Sequence, residues 1–422
     1  MTGADVAPPP GRPPLMPLDE ALERLLAQAA PTLGAETVPT FDADGRVLAR
    51  DVVSGLAVPP CDNSAMDGYA VRAADCAAPG TVLDVTQRIA AGGIGAPLAP
   101  GSAARIFTGA PMPAGANAVV MQEDTQALDG GARVRIDAPP ASGRSVRLAG
   151  EDVALGAVVL QKGERLSPAS IGLVAGIGLN DLTVSRRPRV ALMATGDELA
   201  TPGAVAPEDL PPGAIYNSNR YFLNALLRRA GCVVTDLGVV PDRADATRQA
   251  LQAAAREHDL VLTSGGVSVG EEDHVKPAVE SLGTLDLWQV AMKPGKPFAY
   301  GRLRRAEGGQ AHFIGLPGNP VSSFVTFLML VRPFLLRLQG AVDVAMPSIA
   351  ARADFTLAKA DKRREFLRAR RNASGGLDLF PNQGSGVLTS VHWADGLIDH
   401  PAGATIAQGD TVRFIPFSEL LA

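Results

Sequence analysis

Between residues 186 and 340 the sequence keeps changing its hydrophobic period, and that alternation restricts the fold more than any other feature of the chain. Apolar β-type runs at 189–194, 233–240 and 260–263 alternate with helical spacing at 219–230 and 243–257. A helix-like stretch at 274–282 follows, then a strand around 287–292, a strand at 312–315 and a long helix over 321–338. Strands that alternate with helices bury both faces of a sheet through right-handed crossovers. A doubly wound, mainly parallel, three-layer domain is therefore expected here.

The flanking segments have other rhythms. Residues 1–16 are proline-rich and read as a disordered leader, and 18–29 carry leucines at helical spacing before Pro31. From 56 to 150, short Val/Ile/Thr runs (81–89, 104–107, 118–121, 133–136) alternate with Gly/Pro clusters, which predicts a β-rich module. Ser167 followed by Pro168 predicts a capped helix over 168–175, and after Ser348 only β-type runs appear. The expected whole is an α/β multidomain protein: the doubly wound domain, a β-rich domain, a small α+β domain and a C-terminal β-barrel-like domain.

Composition excludes several function classes. The formal charge is -5, and the densest basic run (Lys362, Arg363, Arg364, then Arg368, Arg370 and Arg371) is short. Nucleic acid is not an expected partner, because affinity for it rests on a large basic surface. That run predicts a solvated strand face or a contact with an anionic ligand. Cys61, Cys76 and Cys232 are widely spaced and suit a reducing, cytoplasmic compartment. The apolar stretch at 324–331 is too short for a membrane span.

In open parallel sheets, ligands bind beyond the carboxyl ends of the strands, so the residues after each strand carry the functional information. They are Thr195-Gly196-Asp197-Glu198; Asp242 after Pro241; Ser264-Gly265-Gly266-Val267-Ser268-Val269-Gly270 with Glu271-Glu272-Asp273; Lys293-Pro294-Gly295-Lys296-Pro297; and Leu316-Pro317-Gly318-Asn319-Pro320. Turns explain glycine and proline singly, but they do not require acids and lysines on one rim. The glycine loop leaves backbone N–H groups open to a phosphate. Asp197, Glu198, Asp242 and Asp273 offer the hard oxygens that magnesium takes, and Lys293 and Lys296 would neutralise anionic oxygens. No Gly-x-x-x-x-Gly-Lys-Ser/Thr is present, so the chain is not a P-loop nucleotidase.

A second polar cluster lies outside that segment: Asp62-Asn63-Ser64-Ala65-Met66-Asp67-Gly68-Tyr69-Ala70, Thr108-Gly109-Ala110-Pro111 and Gly150-Glu151-Asp152. Taken alone, its acids could simply form Asx turns. Together with the five strand-end loops, in this order, the cluster resembles the molybdopterin molybdenumtransferase family, which includes the bacterial molybdenum insertase and the E domain of gephyrin. The resemblance covers nearly all of the chain after the leader.

The resemblance implies an elongated homodimer of four-domain chains. The first domain would be discontinuous (17–55 and 151–185), with the β-rich domain (56–150) inserted, followed by the doubly wound domain (186–340) and a C-terminal β domain (341–422). It implies that adenylylated molybdopterin and molybdate are substrates of a magnesium-dependent step that releases AMP. Asp67, Asp152, Asp242, Asp273, Lys293 and Lys296 would be catalytic, with Asp197, Glu198, Asp242 and Asp273 near the metal. Thr108, Arg147, Thr195, Gly196, Ser264, Gly265, Gly266, Ser268, Pro317, Gly318, Asn319 and Pro320 would bind the pterin nucleotide. The family places its site between the third domain of one subunit and the second domain of the other. Partners would be the upstream molybdopterin adenylyltransferase and the enzymes that accept the cofactor. Two rivals remain at this level: molybdopterin adenylylation itself, argued against by the Asp67 and Asp152 motifs, and a non-catalytic gephyrin-type scaffold, which predicts a rim without acids and lysines.

Overall fold

The computed structural model describes residues 15–29, 33–266 and 274–420. They form two compact units, one of residues 37–44 and 50–183 and the other of the remaining described chain.

The larger unit is built on a six-stranded sheet. Its strands are β1 (Arg189–Thr195), β2 (Val233–Val240), β3 (Leu260–Ser264), β4 (Gly283–Gln289), β5 (Pro297–Arg304) and β6 (Gln310–Leu316), in the order β2-β1-β3-β6-β5-β4. β1 pairs in parallel with β2 and β3, and β3 with β6, while β5 runs antiparallel to both β6 and β4. β4 therefore points the same way as the four parallel strands. Five strands deliver their carboxyl ends to one edge.

Side chains alternate across this sheet and feed two cores. Val190, Leu192, Leu260, Leu262, Ile314 and Leu316 pack under α1 (Ser218–Arg229) and α4 (Pro320–Leu338). Ala191, Met193, Val261, Ala311 and Phe313 pack under α2 (Ala244–Glu257) and α3 (Val275–Leu282). Asn217 caps α1 by accepting from the Arg220 N–H at 3.2 Å, and Gly231 follows its end at a φ of 83°. α4 is long and apolar enough to cross a membrane, yet it is almost wholly buried as the core helix of this unit. It widens into a π turn over Phe327–Val331. That turn stands immediately before Pro333, whose ring and missing N–H cannot continue a regular α ladder.

Two expectations change here. The strand expected around 287–292 is shifted to Gly283–Gln289, and β5 adds a strand that Pro294, Gly295 and Pro297 hide in the sequence. Met292–Lys293 leaves this sheet and pairs with Arg364 and Glu365 of a second sheet, formed chiefly by Arg364–Arg371, Gly396–His400, Thr411–Pro416 and Ile349–Arg352. The basic run is not a solvated face throughout. Arg368 is only 1% exposed, and its guanidinium donates to Ser390 Oγ and the Phe366 carbonyl. Arg364 grips Asp399 with two bonds of 2.6 and 2.7 Å.

The smaller unit contains a six-stranded sheet in the order Ala118–Met121, Gly68–Val71, Ser102–Ile106, Thr81–Ile89, Arg133–Ile136, Thr125–Leu128. Its two faces bury separate clusters, around Val71, Val120 and Ile136 and around Ala70, Ile106 and Val119. Ser167 caps the helix Pro168–Gly176 by accepting from the Ser170 N–H, as its position before Pro168 predicts.

His312, on β6, shows how the larger unit should respond to acid. Its Nδ1 lies 2.9 Å from the Tyr300 hydroxyl and its ring sits edge-on to Phe334 at 5.1 Å. Burial pushes its pKa from 6.5 down to about 4. Above pH 6.5 the residue is neutral whether folded or unfolded; below it the unfolded chain takes a proton that the folded one refuses, so stability falls as pH drops toward 4. The shift corresponds to about 3 kcal/mol by pH 4. A His312→Gln variant should therefore lose less stability between pH 6.5 and 4.5 than the parent in urea unfolding. Equal losses would refute this account.

Candidate active site

The carboxyl edge of the larger sheet brings most of the expected loops together. After β3 the chain turns through Gly265 and Gly266 at φ of 91° and 68°. A Cβ on Gly266 would stand 2.3 Å from Val275 Cγ2, and one on Gly265 would stand 3.1 Å from the Thr195 carbonyl oxygen. No other residue fits both the backbone conformation and the space. The Gly265 N–H donates to the Leu316 carbonyl at 3.0 Å, so the glycine turn is fixed against the end of β6 while Thr195, at the end of β1, lies beneath it.

A residue that sequence reasoning missed holds this junction. Asn219, in the first turn of α1 and 8% exposed, donates one amide hydrogen to Ser264 Oγ at 2.8 Å and the other to the Gly318 carbonyl at 2.7 Å. It ties the loop after β3 to the loop after β6. The signal available was a buried-type polar residue at a helix start, which capping alone explains; Asn217 does the capping instead. Asn319 precedes α4, and its side chain makes no capping bond, although Pro320 occupies the first turn. An exposed carboxamide and an uncapped helix start thus face the edge, where a long helix favours negative charge.

The acids divide. The Asp242 N–H approaches Asp197 Oδ1 at 3.4 Å, so the ends of β1 and β2 place these two residues side by side. Glu198 folds its carboxylate back over Gly196, within 2.6 Å of where a Cβ would be. Among the described residues no three Asp, Glu, His or Cys side chains gather closely enough to hold a metal ion. Ser268 and Asp273 lie outside the described residues.

The lysines also part ways. Lys293 Nζ lies 2.7 Å from Glu365 and 3.2 Å from Asp361, which hold its pKa above the usual lysine value, Glu365 first. Its charge is matched within the chain by these two carboxylates. Lys296 makes no ion pair among the described residues, and Gly295 between them presses on α4, where a Cβ would meet Thr326 Oγ1 at 2.3 Å. The lysine loop therefore stands beside the start of α4.

In the smaller unit the three remaining motifs interlock. Asp67 Oδ1 accepts both the Thr108 N–H and the Thr108 hydroxyl at 2.8 Å; these bonds, the backbone one first, hold its pKa below the usual aspartate value. The Gly109 N–H donates to the Ser64 carbonyl, and the Ser64 N–H to the Ala110 carbonyl. Asn63 and Ser64 pair with Arg147 and Val146, and the Ala149 N–H donates to Asp62 Oδ1 at 2.8 Å. The exposed Asp152 follows, its N–H bound to the Val58 carbonyl. Asp62 and Asp67 bond between motifs rather than within single turns, while Ser64 Oγ closes a local turn by accepting from the Met66 N–H at 3.3 Å. Arg147 is exposed and the Asn63 Oδ1 atom is buried with no hydrogen-bond partner among the described residues, so the cluster keeps unspent capacity for a ligand.

Fold and motifs together define a multidomain α/β transferase, and comparison with known proteins agrees. Residues 16–178 match the MoeA N-terminal region (domain I and II), 191–337 a probable molybdopterin binding domain, and 350–417 the MoeA C-terminal region (domain IV). The molybdopterin molybdenumtransferase of Haemophilus influenzae is 37% identical over 414 residues, 96% of this chain and 100% of the relative. Molybdopterin molybdenumtransferase 2 of Mycobacterium tuberculosis is 38% identical over 393 residues, 90% of this chain and 94% of the relative. The crystal structure of the molybdopterin biosynthesis moeA protein from Pyrococcus horikoshii OT3 superposes with a TM-score of 0.82 at 29% identity, covering 96% of this chain and 100% of that one. The chain belongs to the molybdopterin molybdenumtransferase family, enzymes of molybdenum cofactor biosynthesis.

The Asn219 bridge can be tested directly. Asn219→Ala leaves a buried hydroxyl and a carbonyl without their donor, which should cost about 1–3 kcal/mol. Thermal unfolding should show that loss, together with a raised KM for the phosphorylated substrate. Unchanged KM in a folded variant would show that the two loops need no tie.

Proposed function

We propose that the chain inserts molybdenum into adenylylated molybdopterin, with hydrolytic release of AMP coupled to capture of molybdate. The observation that carries this reading is the glycine turn at Gly265-Gly266, locked by Asn219 and Leu316 beside Asp197 and Asp242. It offers a close backbone approach for a phosphate next to hard oxygen donors. The family membership supplies the pterin and the metal oxyanion as substrate classes.

A magnesium ion fits this donor set. Two aspartates at adjacent strand ends, with the Asp242 N–H donating to Asp197 Oδ1 and no third acid gathered with them among the described residues, suit a cation that takes one or two protein carboxylates and fills its shell with phosphate oxygens and water. Asp197 and Asp242 would hold it, with Asp273 as the further ligand the sequence offers. When bound, it would supply charge stabilisation on the phosphoanhydride being broken. Lys296 and the start of α4, with Asn319, would bind anionic oxygens of phosphate or molybdate. Asp67, kept ionised by Thr108, would accept a proton or orient water, and Asp152 and Arg147 would complete its surroundings. The reading includes a cytoplasmic homodimer that receives substrate from an adenylyltransferase and passes product to cofactor-dependent enzymes. The adenylylation alternative is disfavoured because the match extends over all of the Haemophilus relative rather than over one domain.

AMP release from adenylylated molybdopterin should require both molybdate and magnesium in the parent protein. Asp67→Asn should lower the rate by about 100-fold or more. Thr108→Val should move the acidic limb of the pH–rate profile upward, because one of the two bonds that stabilise the Asp67 carboxylate is gone. Release that ignores molybdate and magnesium would end the insertase reading.

A further inference from the structure

The opposite edge of the larger sheet holds a second charged site that the reaction does not use. Arg186 stands just before β1 and Asp259 just before β3; Arg302 and Arg304 end β5, and His312 opens β6. With Arg305 they line an open cavity of about 830 Å³ at the amino ends of the parallel strands. That volume suits a small molecule rather than a protein surface.

Local geometry explains why the arginines converge. Tyr300, Arg302 and Arg304 share one face of β5, because strand side chains alternate. Tyr300 is buried against Phe334 of α4, whereas Arg304 is exposed, so the face turns from apolar to cationic as it leaves the core. Across the ladder Arg302 faces His312 and Arg304 faces Gln310.

The charge there is unbalanced. Asp259 is committed to Arg186 through two bonds of 2.8 and 2.7 Å. Arg305 donates to the Ala255 and His258 carbonyls at 2.8 and 2.7 Å, Arg302 to the Gln28 carboxamide and Arg304 to the Ser281 carbonyl. Among the described residues every hydrogen-bond partner of these three guanidinium groups is neutral, and none of the three forms an ion pair. Asp286, opposite Tyr300 on β4, makes no ion pair with them either. His312 stays neutral and adds no positive charge at pH 7. Four guanidinium groups around one carboxylate, Asp259, which Arg305 also feels through space, leave an excess of positive charge that is costly to hold together unless an anion joins it.

We propose that this amino-edge cavity binds a phosphorylated small molecule, its phosphate groups taken by Arg302, Arg304 and Arg305. Guanidinium forks match phosphate geometry in pairs, and a two-phosphate group is long enough to engage more than one. The site lies at the other end of the strands from the glycine turn, so its occupancy and the insertase reaction are separate claims.

Calorimetric titration of the full chain with inorganic pyrophosphate, and in parallel with ATP, tests the proposal. The parent should bind, and more weakly as salt rises. Arg304→Gln, and separately Gln310→Glu, which sets a carboxylate opposite Arg304, should each weaken binding about tenfold. Both positions are exposed, so both variants should fold and should release AMP at the parent rate. Lys296→Ala, at the other edge, should leave this binding unchanged. Equal affinity for the two probes supports recognition of the phosphates alone, and tighter ATP binding supports a nucleotide ligand. No binding by the parent, or binding lost in Lys296→Ala but kept in Arg304→Gln and Gln310→Glu, would overturn the proposal.

Discussion

Burial of the central strands on both faces is the constraint from which the rest of the larger unit follows. β1, β3 and β6 send alternate side chains into two separate cores, so almost no position along them can be polar without losing apolar contacts. Polar chemistry is thereby expelled to the strand ends. Because β1, β2, β3, β6 and β4 run the same way, those ends sort into two sets, one at each edge of the sheet. The carboxyl edge collects acids, glycines and a helix start; the amino edge collects arginines. Neither set needs the other in order to form.

The carboxyl edge also has to bring backbone close to backbone. The glycine turn reaches over Thr195 and under Val275, where any side chain would collide, and its hydrogen bond to Leu316 commits it to the end of β6. Asn219 then joins Ser264 to Gly318 across the same gap. The geometry is fixed by close packing and by one buried amide before any ligand arrives, which is how electrostatic preorganisation is achieved.

Much of this was legible in the sequence, and the parts that were not have physical reasons. Continuous apolar runs marked β1 and β3, and amphipathic spacing marked α1 and α2, because each signal comes from one element burying its own surface; β2, an edge strand left largely exposed, was marked only by its β-branched residues. β5 was hidden since its neighbours Pro294, Gly295 and Pro297 look like a loop and its end carries arginines where a core strand would carry valine. The rim residues were legible as a set, for loop composition survives without knowing the fold. Their division into partnered and unpartnered members was not. The buried Arg368 and the Asn219 bridge depend on contacts from segments distant in sequence, and no local pattern encodes those.

Lys293 illustrates the same point with a chemical consequence. Glu365 is only 5% exposed, and taking a carboxylate that far from water is costly unless a cation pairs with it. Lys293 supplies the cation, while Met292–Lys293 pairs as a short strand with Arg364 and Glu365. Ion pair and strand pairing together anchor the front of the lysine loop to the C-terminal sheet, and Gly295 wedges the middle of it against α4. The last part of the loop is held as well, because the Val290 N–H donates to the Lys296 carbonyl at 2.8 Å and Pro297 pairs with Gln289; there Lys296 has no ion-pair partner among the described residues. Two lysines three residues apart thus differ: one spends its charge holding the loop in place, and the other keeps a charge without an ion-pair partner among the described residues, as the proposed anion contact requires.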